Sequence, residues 1–129
     1  MKKGGDVIRV SGRLEKTHEG AGYELFSLHE GFIPPGQYRM VSAGVKISDM
    51  PPGLIGHVCS TRMMAAQGLV CVPLVVDGTL KGEIMLTLFN AGSGYCRITA
   101  GECIGRLFFS LALSPKMQRE TQQGAGNGN

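Results

Sequence analysis

The sequence predicts an all-β domain of sandwich, jelly-roll or barrel type, and three observations predict it. Turn signals recur at short intervals, the runs between them have strand character, and only one short stretch looks helical. The turns are Pro34-Pro35-Gly36, Pro51-Pro52-Gly53, Asp77-Gly78, Gly92-Ser93-Gly94 and Thr99-Ala100-Gly101. Proline presets a turn dihedral and glycine accepts the ones other residues refuse, so these clusters punctuate the chain.

The elements follow in order. Val41, Ala43, Val45 and Ile47 alternate with Ser42, Gly44 and Lys46, the period-two pattern of a strand with one buried face. Met63-Met64-Ala65-Ala66-Gln67 reads as about one helical turn, stopped by Gly68. Leu69 to Val76 is an apolar run broken by Pro73. Ile84, Leu86 and Leu88 share one face of a strand, with Met85, Thr87 and Phe89 on the other. Both faces are apolar, so burial on both sides is expected there. Leu107 to Leu113 is a further run, rich in Phe and Leu. After Pro115 the character changes. Residues 116–129 carry one apolar side chain of any size, Met117, and end in Gly124-Ala125-Gly126-Asn127-Gly128-Asn129. Such a segment buries too little surface to offset its ordering entropy. The expected organisation is one domain over 1–114 and a flexible Gly/Gln-rich tail over 115–129, ordered only by a ligand or a neighbouring subunit.

A chain of 129 residues, 43% hydrophobic and 18% charged, suits one globular domain. A net charge of +3 favours an anionic ligand slightly but is no nucleic-acid footprint. Basic residues are dispersed, and Met1-Lys2-Lys3 reads as a solvated chain end. Cys59, Cys71, Cys96 and Cys103 lack zinc-knuckle or thioredoxin spacing, and all but Cys96 sit in apolar runs as small core residues. His18, His29 and His57 have no metal-ligand spacing and are expected on the surface or in loops. No apolar run is long enough for a membrane span and no signal peptide opens the chain. The expectation is an intracellular protein, in cytoplasm or nucleus, with no membrane or nucleic-acid partner.

Four segments carry a family resemblance. Ala21-Gly22-Tyr23-Glu24-Leu25 resembles the first motif of the dUTPases, usually Ala-Gly-Tyr-Asp-Leu. Met64-Ala65-Ala66-Gln67-Gly68-Leu69 resembles the end of the second. Val75-Val76-Asp77-Gly78-Thr79-Leu80-Lys81-Gly82-Glu83-Ile84, followed by Leu88-Phe89-Asn90, resembles the third, usually Val-Ile-Asp-x-x-Tyr-x-Gly-Glu-Ile. Gly101-Glu102-Cys103-Ile104-Gly105-Arg106-Leu107-Phe108-Phe109 is similar to the fourth. Together they run from residue 21 to 109 in the family's order and spacing. The resemblance implies a β jelly roll, a distorted barrel, that forms a homotrimer. It also implies sites built from three subunits: motifs one, two and four from one chain, three from a second, the C-terminal fifth from a third. The implied reaction is hydrolysis of dUTP to dUMP and pyrophosphate with Mg2+ on the triphosphate. Compact diverged members are frequent in viruses, and a viral source is the expectation.

The resemblance assigns roles position by position. Asp77 matches the general base that deprotonates the attacking water, and as a bare Asp-Gly pair it also reads simply as a turn. Glu24 stands where the first motif has Asp and would help hold the magnesium shell, one methylene displaced. The second motif's Arg-Ser is replaced by Thr61-Arg62, or by Ser60-Thr61 after a shift of one. Arg62 then touches phosphate from a new position or serves as a surface or interface ion-pair residue. Leu80 replaces a Tyr that stacks on deoxyribose, and leucine has no flat face. Val72-Pro73-Leu74 replaces a glycine-rich segment whose amides approach uracil, and Pro73 has no N–H to offer. Gly82 keeps its place in the third motif. Arg106 replaces a phosphate-contacting Gln, so Arg62 and Arg106 together would form an anion pocket, unless Arg106 compensates local acids. Arg119 and the terminal glycines only echo the fifth motif, with Ala125 where its aromatic ring belongs. The related deaminases need residues that Thr87, Arg62 and Ala66 do not supply. Two functions of different class follow: a diverged trimer with weak or lost dUTP hydrolysis that binds an anion, a nucleotide or an unknown protein partner, or an active dUTP diphosphatase.

Overall fold

The computed structural model describes residues 7–17, 20–80 and 82–121. Within them lie eleven strands and one short helix: β1 (Arg9–Ser11), β2 (Leu14–Lys16), β3 (Tyr23–Phe26), β4 (Gly31–Ile33), β5 (Tyr38–Asp49), β6 (Leu54–Cys59), α1 (Arg62–Ala66), β7 (Leu69–Cys71), β8 (Leu74–Val76), β9 (Glu83–Asn90), β10 (Cys96–Ile98) and β11 (Cys103–Leu111). The order is β1-β5-β9-β7 in a four-stranded sheet and β2-β3-β11-β6-β8 in a five-stranded one, with β10-β4 as a separate pair. Every described pairing is antiparallel.

Alternation decides the facing of the strands. Val41, Ala43, Val45 and Ile47 of β5 are buried, as are Ile84, Leu86 and Leu88 of β9. Leu25, Val58, Val76, Ile104 and Leu107 face them from the five-stranded sheet, and all of these residues join one core cluster. The sheets meet closely at Gly105, where an added Cβ would lie 2.5 Å from Cδ2 of Leu86. Cys71 is part of this core, and burial, helped by nearby Cys59, pushes its thiol up to about 11.

Pro73 does more than break an apolar run. Leu69–Cys71 pairs with β9 in one sheet, whereas Leu74–Val76 pairs with β6 in the other. Having no N–H, Pro73 suits the crossing between them. One expectation is corrected. Strand β9 is fully buried on its Ile84 face alone: Met85 is exposed and Phe89 half-buried, because among the described residues no second layer covers the outer side of its sheet. His57 lies at the surface, half-buried on β6, its ring stacked on Phe108 at 4.8 Å and its Nε2 2.8 Å from the Ser110 hydroxyl. Of the tail, residues 112–121 form neither strand nor helix, and 122–129, Ala125 included, lie outside the described residues, as does His18.

Candidate functional site

The sequence motifs fall into two groups on the folded chain. The first surrounds Asp77, just beyond the end of β8. Asp77, Gly78, Leu80 and Gly82 line a groove of about 240 Å³ with Lys46, Ile47, Ser48, Asp49 and Met50 of and after β5. The Asp77 carboxylate is shaped by its own turn. Its Oδ1 accepts from the Thr79 hydroxyl at 2.5 Å and from the Thr79 N–H at 2.9 Å, while its carbonyl accepts from the Leu80 N–H at 3.1 Å. The Thr79 hydroxyl first, then the Thr79 N–H, favour the anion and hold this carboxyl below the usual carboxylate range. The turn reading of Asp77-Gly78 therefore holds, but it is no hairpin: β8 and β9 belong to different sheets, and the turn carries the chain between them. Gly82, at φ +86°, ends this connection in a conformation that suits glycine. Leu80 is half-buried against the core.

The second group lies across the five-stranded sheet. Cross-strand register puts Glu15, Glu24, Arg106 and Cys59 in one row over β2, β3, β11 and β6. Arg106 is not free to sweep this surface. Its Nε and Nη2 both donate to the Ala21 carbonyl, at 2.9 and 2.5 Å, clasping the loop that leads into Glu24. Glu24 is half-buried beside it and makes no ion pair with another described residue. Beyond Cys59, both hydroxyls of the altered second motif are committed. Ser60 bonds the backbone of Cys71 and Thr61 caps α1 by accepting from the Met64 N–H at 3.2 Å. Arg62, the first residue of α1, is exposed and makes no hydrogen bond or ion pair with another described residue.

The two groups stand at opposite ends of β6. Val76 pairs with Gly56, so Asp77 continues past the Ile55 end, while Arg106 pairs with Cys59 at the other. Four residues of strand separate those ends, about 13 Å at the usual rise per residue. The structure thus brings Asp77, Leu80 and Gly82 together and sets Glu24 beside Arg106 elsewhere, with Arg62 three residues beyond Cys59 and in no hydrogen bond or ion pair with either among the described residues; it does not join the Asp77 and Arg106 groups within one chain. Among the described residues, no group of three or more His, Cys, Asp or Glu side chains is placed to hold a metal ion. The sequence reading missed Lys46, Ser48 and Asp49. Lys46 is the one charged residue between Val41 and Ile47, which was the available signal, but nothing local says that β5 flanks the Asp77 turn.

A family model described as dUTPase matches residues 12–128. A deoxyuridine 5'-triphosphate nucleotidohydrolase of fowl adenovirus A serotype 1 is 28% identical over 112 residues, covering 86% of this chain; the chain spans 62% of that relative's length. The corresponding protein of Trichodesmium erythraeum is 29% identical over 110 residues, covering 82% of this chain and 77% of its own. The solved native EIAV dUTPase superposes with a TM-score of 0.78 at 24% identity, over 90% of this chain and 98% of that one.

Proposed function

The chain belongs to the dUTPase family, and from that premise we propose that it is a trimeric nucleotide-binding member in which hydrolysis of dUTP is slow or lost. The observation that carries the reading is the separation of its two groups of site residues by the length of β6. A ligand that needs both the Asp77 groove and the Glu24–Arg106 row meets them only where two chains adjoin, so the site is a product of assembly.

The chemistry of the groups argues for slow turnover. A general base works best with a pKa near the working pH, and Thr79 moves Asp77 the other way. Arg106 spends two of its donors on the Ala21 carbonyl, which leaves less of the fork for phosphate. Leu80 offers contact to a sugar but no ring to stack. Magnesium is held in such sites by one or two carboxylates together with phosphate oxygens, so no protein cage is required. Glu24, without an ion-pair partner among the described residues, fits as the carboxylate for it. The ion would neutralise phosphate charge, while Asp77 would orient water through Oδ2, the oxygen that Thr79 leaves open.

A second reading, an active dUTP diphosphatase, is favoured by the same Oδ2 and by the kept Gly82-Glu83-Ile84 of the third motif. Pyrophosphate release from dUTP decides between them, with Asp77→Asn as the control. Turnover abolished by that change establishes the diphosphatase. Binding of dUTP by calorimetry without appreciable turnover supports the reading proposed here. Neither turnover nor binding overturns both, and leaves the fold as a scaffold for a protein partner.

A further inference from the structure

We infer that Lys46 is a phosphate-contacting residue of the Asp77 groove, a cation supplied by β5 in place of those the altered second motif lacks. The inference rests on the nucleotide-binding reading above and adds a residue to it.

The local backbone is irregular beside this residue. Strands β5 and β9 pair Ser42 with Met85 and then Lys46 with Glu83, so four steps along β5 answer two along β9. The excess is a bulge centred on Gly44, which adopts φ +66° and donates its N–H to the Ser42 hydroxyl at 3.0 Å. The bulge is clamped from outside, since a Cβ at Gly12 would lie 2.1 Å from the Gly44 carbonyl oxygen. Bulges recur beside functional sites. Alternation runs on through this one, with Val45 and Ile47 buried and Lys46 exposed between them, and Lys46 lines the groove that holds Asp77.

The charges agree. Lys46 stands directly across from Glu83, the partner with which a surface lysine would ordinarily pair. Glu83 instead accepts from the Ser42 hydroxyl at 2.6 Å, and Lys46 makes no ion pair or hydrogen bond with another described residue. Of the groove's other charges, Asp49 is 4.0 Å from Arg9 and Asp77 is held by Thr79. Lys46 is therefore the groove's one cationic side chain among the described residues and carries no intramolecular duty. An anionic group entering beside two aspartates needs such a counter-charge, and an ammonium serves phosphate as a point charge.

Calorimetry with dUTP and with deoxyuridine, which lacks the phosphates, tests this on the full chain. Lys46→Met is expected to weaken dUTP roughly tenfold or more, the scale of a lost charge-assisted contact, and to flatten the salt dependence of binding. Deoxyuridine affinity and sedimentation should stay as in the wild type. Lys46→Arg should retain most dUTP affinity, and Lys16→Met, on exposed β2, should change nothing. Wild-type binding of dUTP that Lys46→Met leaves intact overturns the role of Lys46. Absence of wild-type binding overturns the nucleotide-binding reading itself, and this inference with it.

Discussion

Asp77 shows how one neighbour sets a side chain's chemistry. Thr79 reaches back to Oδ1 through its hydroxyl and its N–H, and both contacts favour the charged form. A carboxyl depressed in the folded state stabilises the fold at pH values above its unfolded pKa, and that contribution is lost as pH falls through the folded value. Thr79→Val removes the hydroxyl and keeps the N–H. The expected outcome is an upward shift of the Asp77 carboxyl towards its ordinary range, read by carbon-detected NMR titration, with a smaller stability contribution above the unfolded pKa and therefore a smaller loss of stability on acidification. If nucleotide hydrolysis is measurable, the same change should raise it, because a less acidic carboxyl is a better base. An unmoved Asp77 titration would show that the hydroxyl contact does not control this group. These residues were legible in the sequence because Asp77, Thr79, Leu80 and Gly82 are contiguous and move as one turn. Lys46 was not, because its place in the groove depends on a strand more than thirty residues away.

At the scale of the element, alternation in β5 and β9 was legible because burial on one face writes itself as period two. The breadth of the apolar pattern in β9 misled in one respect. Met85 and Phe89 made the second face look apolar enough to bury, yet Met85 is exposed and Phe89 half-buried, in contact with the Tyr38 ring of the neighbouring strand. The sheet change at Pro73 was equally hidden, since a proline reports a break in pairing but not which sheet the chain enters next. The contact between the sheets gives a direct test. Gly105 faces the core of β11 and an added methyl would lie 2.5 Å from the buried side chain of Leu86. Leu86 is fully enclosed, so it has little room to turn away. Gly105→Ala should destabilise by about 1–3 kcal/mol, the usual cost of overpacking a filled core. A urea melt measures it as a lower midpoint with an unchanged slope. The double variant Gly105→Ala with Leu86→Ala should recover part of the loss relative to Leu86→Ala alone, since the new methyl then fills vacated space. Equal stability of Gly105→Ala and the wild type would mean that the sheets separate more easily than their packing indicates.

For the whole molecule, the telling feature is that one chain exposes two unlike apolar faces. Outside the four-stranded sheet, Tyr38 and Met40 lie opposite Phe89 and Thr87, with Val70 beyond; Tyr38 and Met40 are 66% and 61% exposed. Outside the five-stranded sheet, register sets Val75, His57 and Phe108 in a row, and Val75 is 60% exposed. Contiguous apolar patches of this kind mark association surfaces. Two different patches on one protomer are what a head-to-tail ring requires, because each contact then joins the first face of one chain to the second face of the next. A two-fold dimer would need only one self-complementary face. The distinction can be read in a mixing experiment. Met40→Glu and Val75→Glu each place a charge on one face and leave the other whole. In a ring every contact uses both faces, so each variant alone should sediment as a monomer at concentrations where the wild type is trimeric. Mixed in equal amounts, the two retain one undamaged contact, between the first face of the Val75→Glu chain and the second face of the Met40→Glu chain. That contact supports a heterodimer but cannot close a ring. Homodimers of either variant, or a trimer persisting in either, would show that the faces do not meet head to tail, and a monomeric wild type would remove the assembly on which the divided site depends.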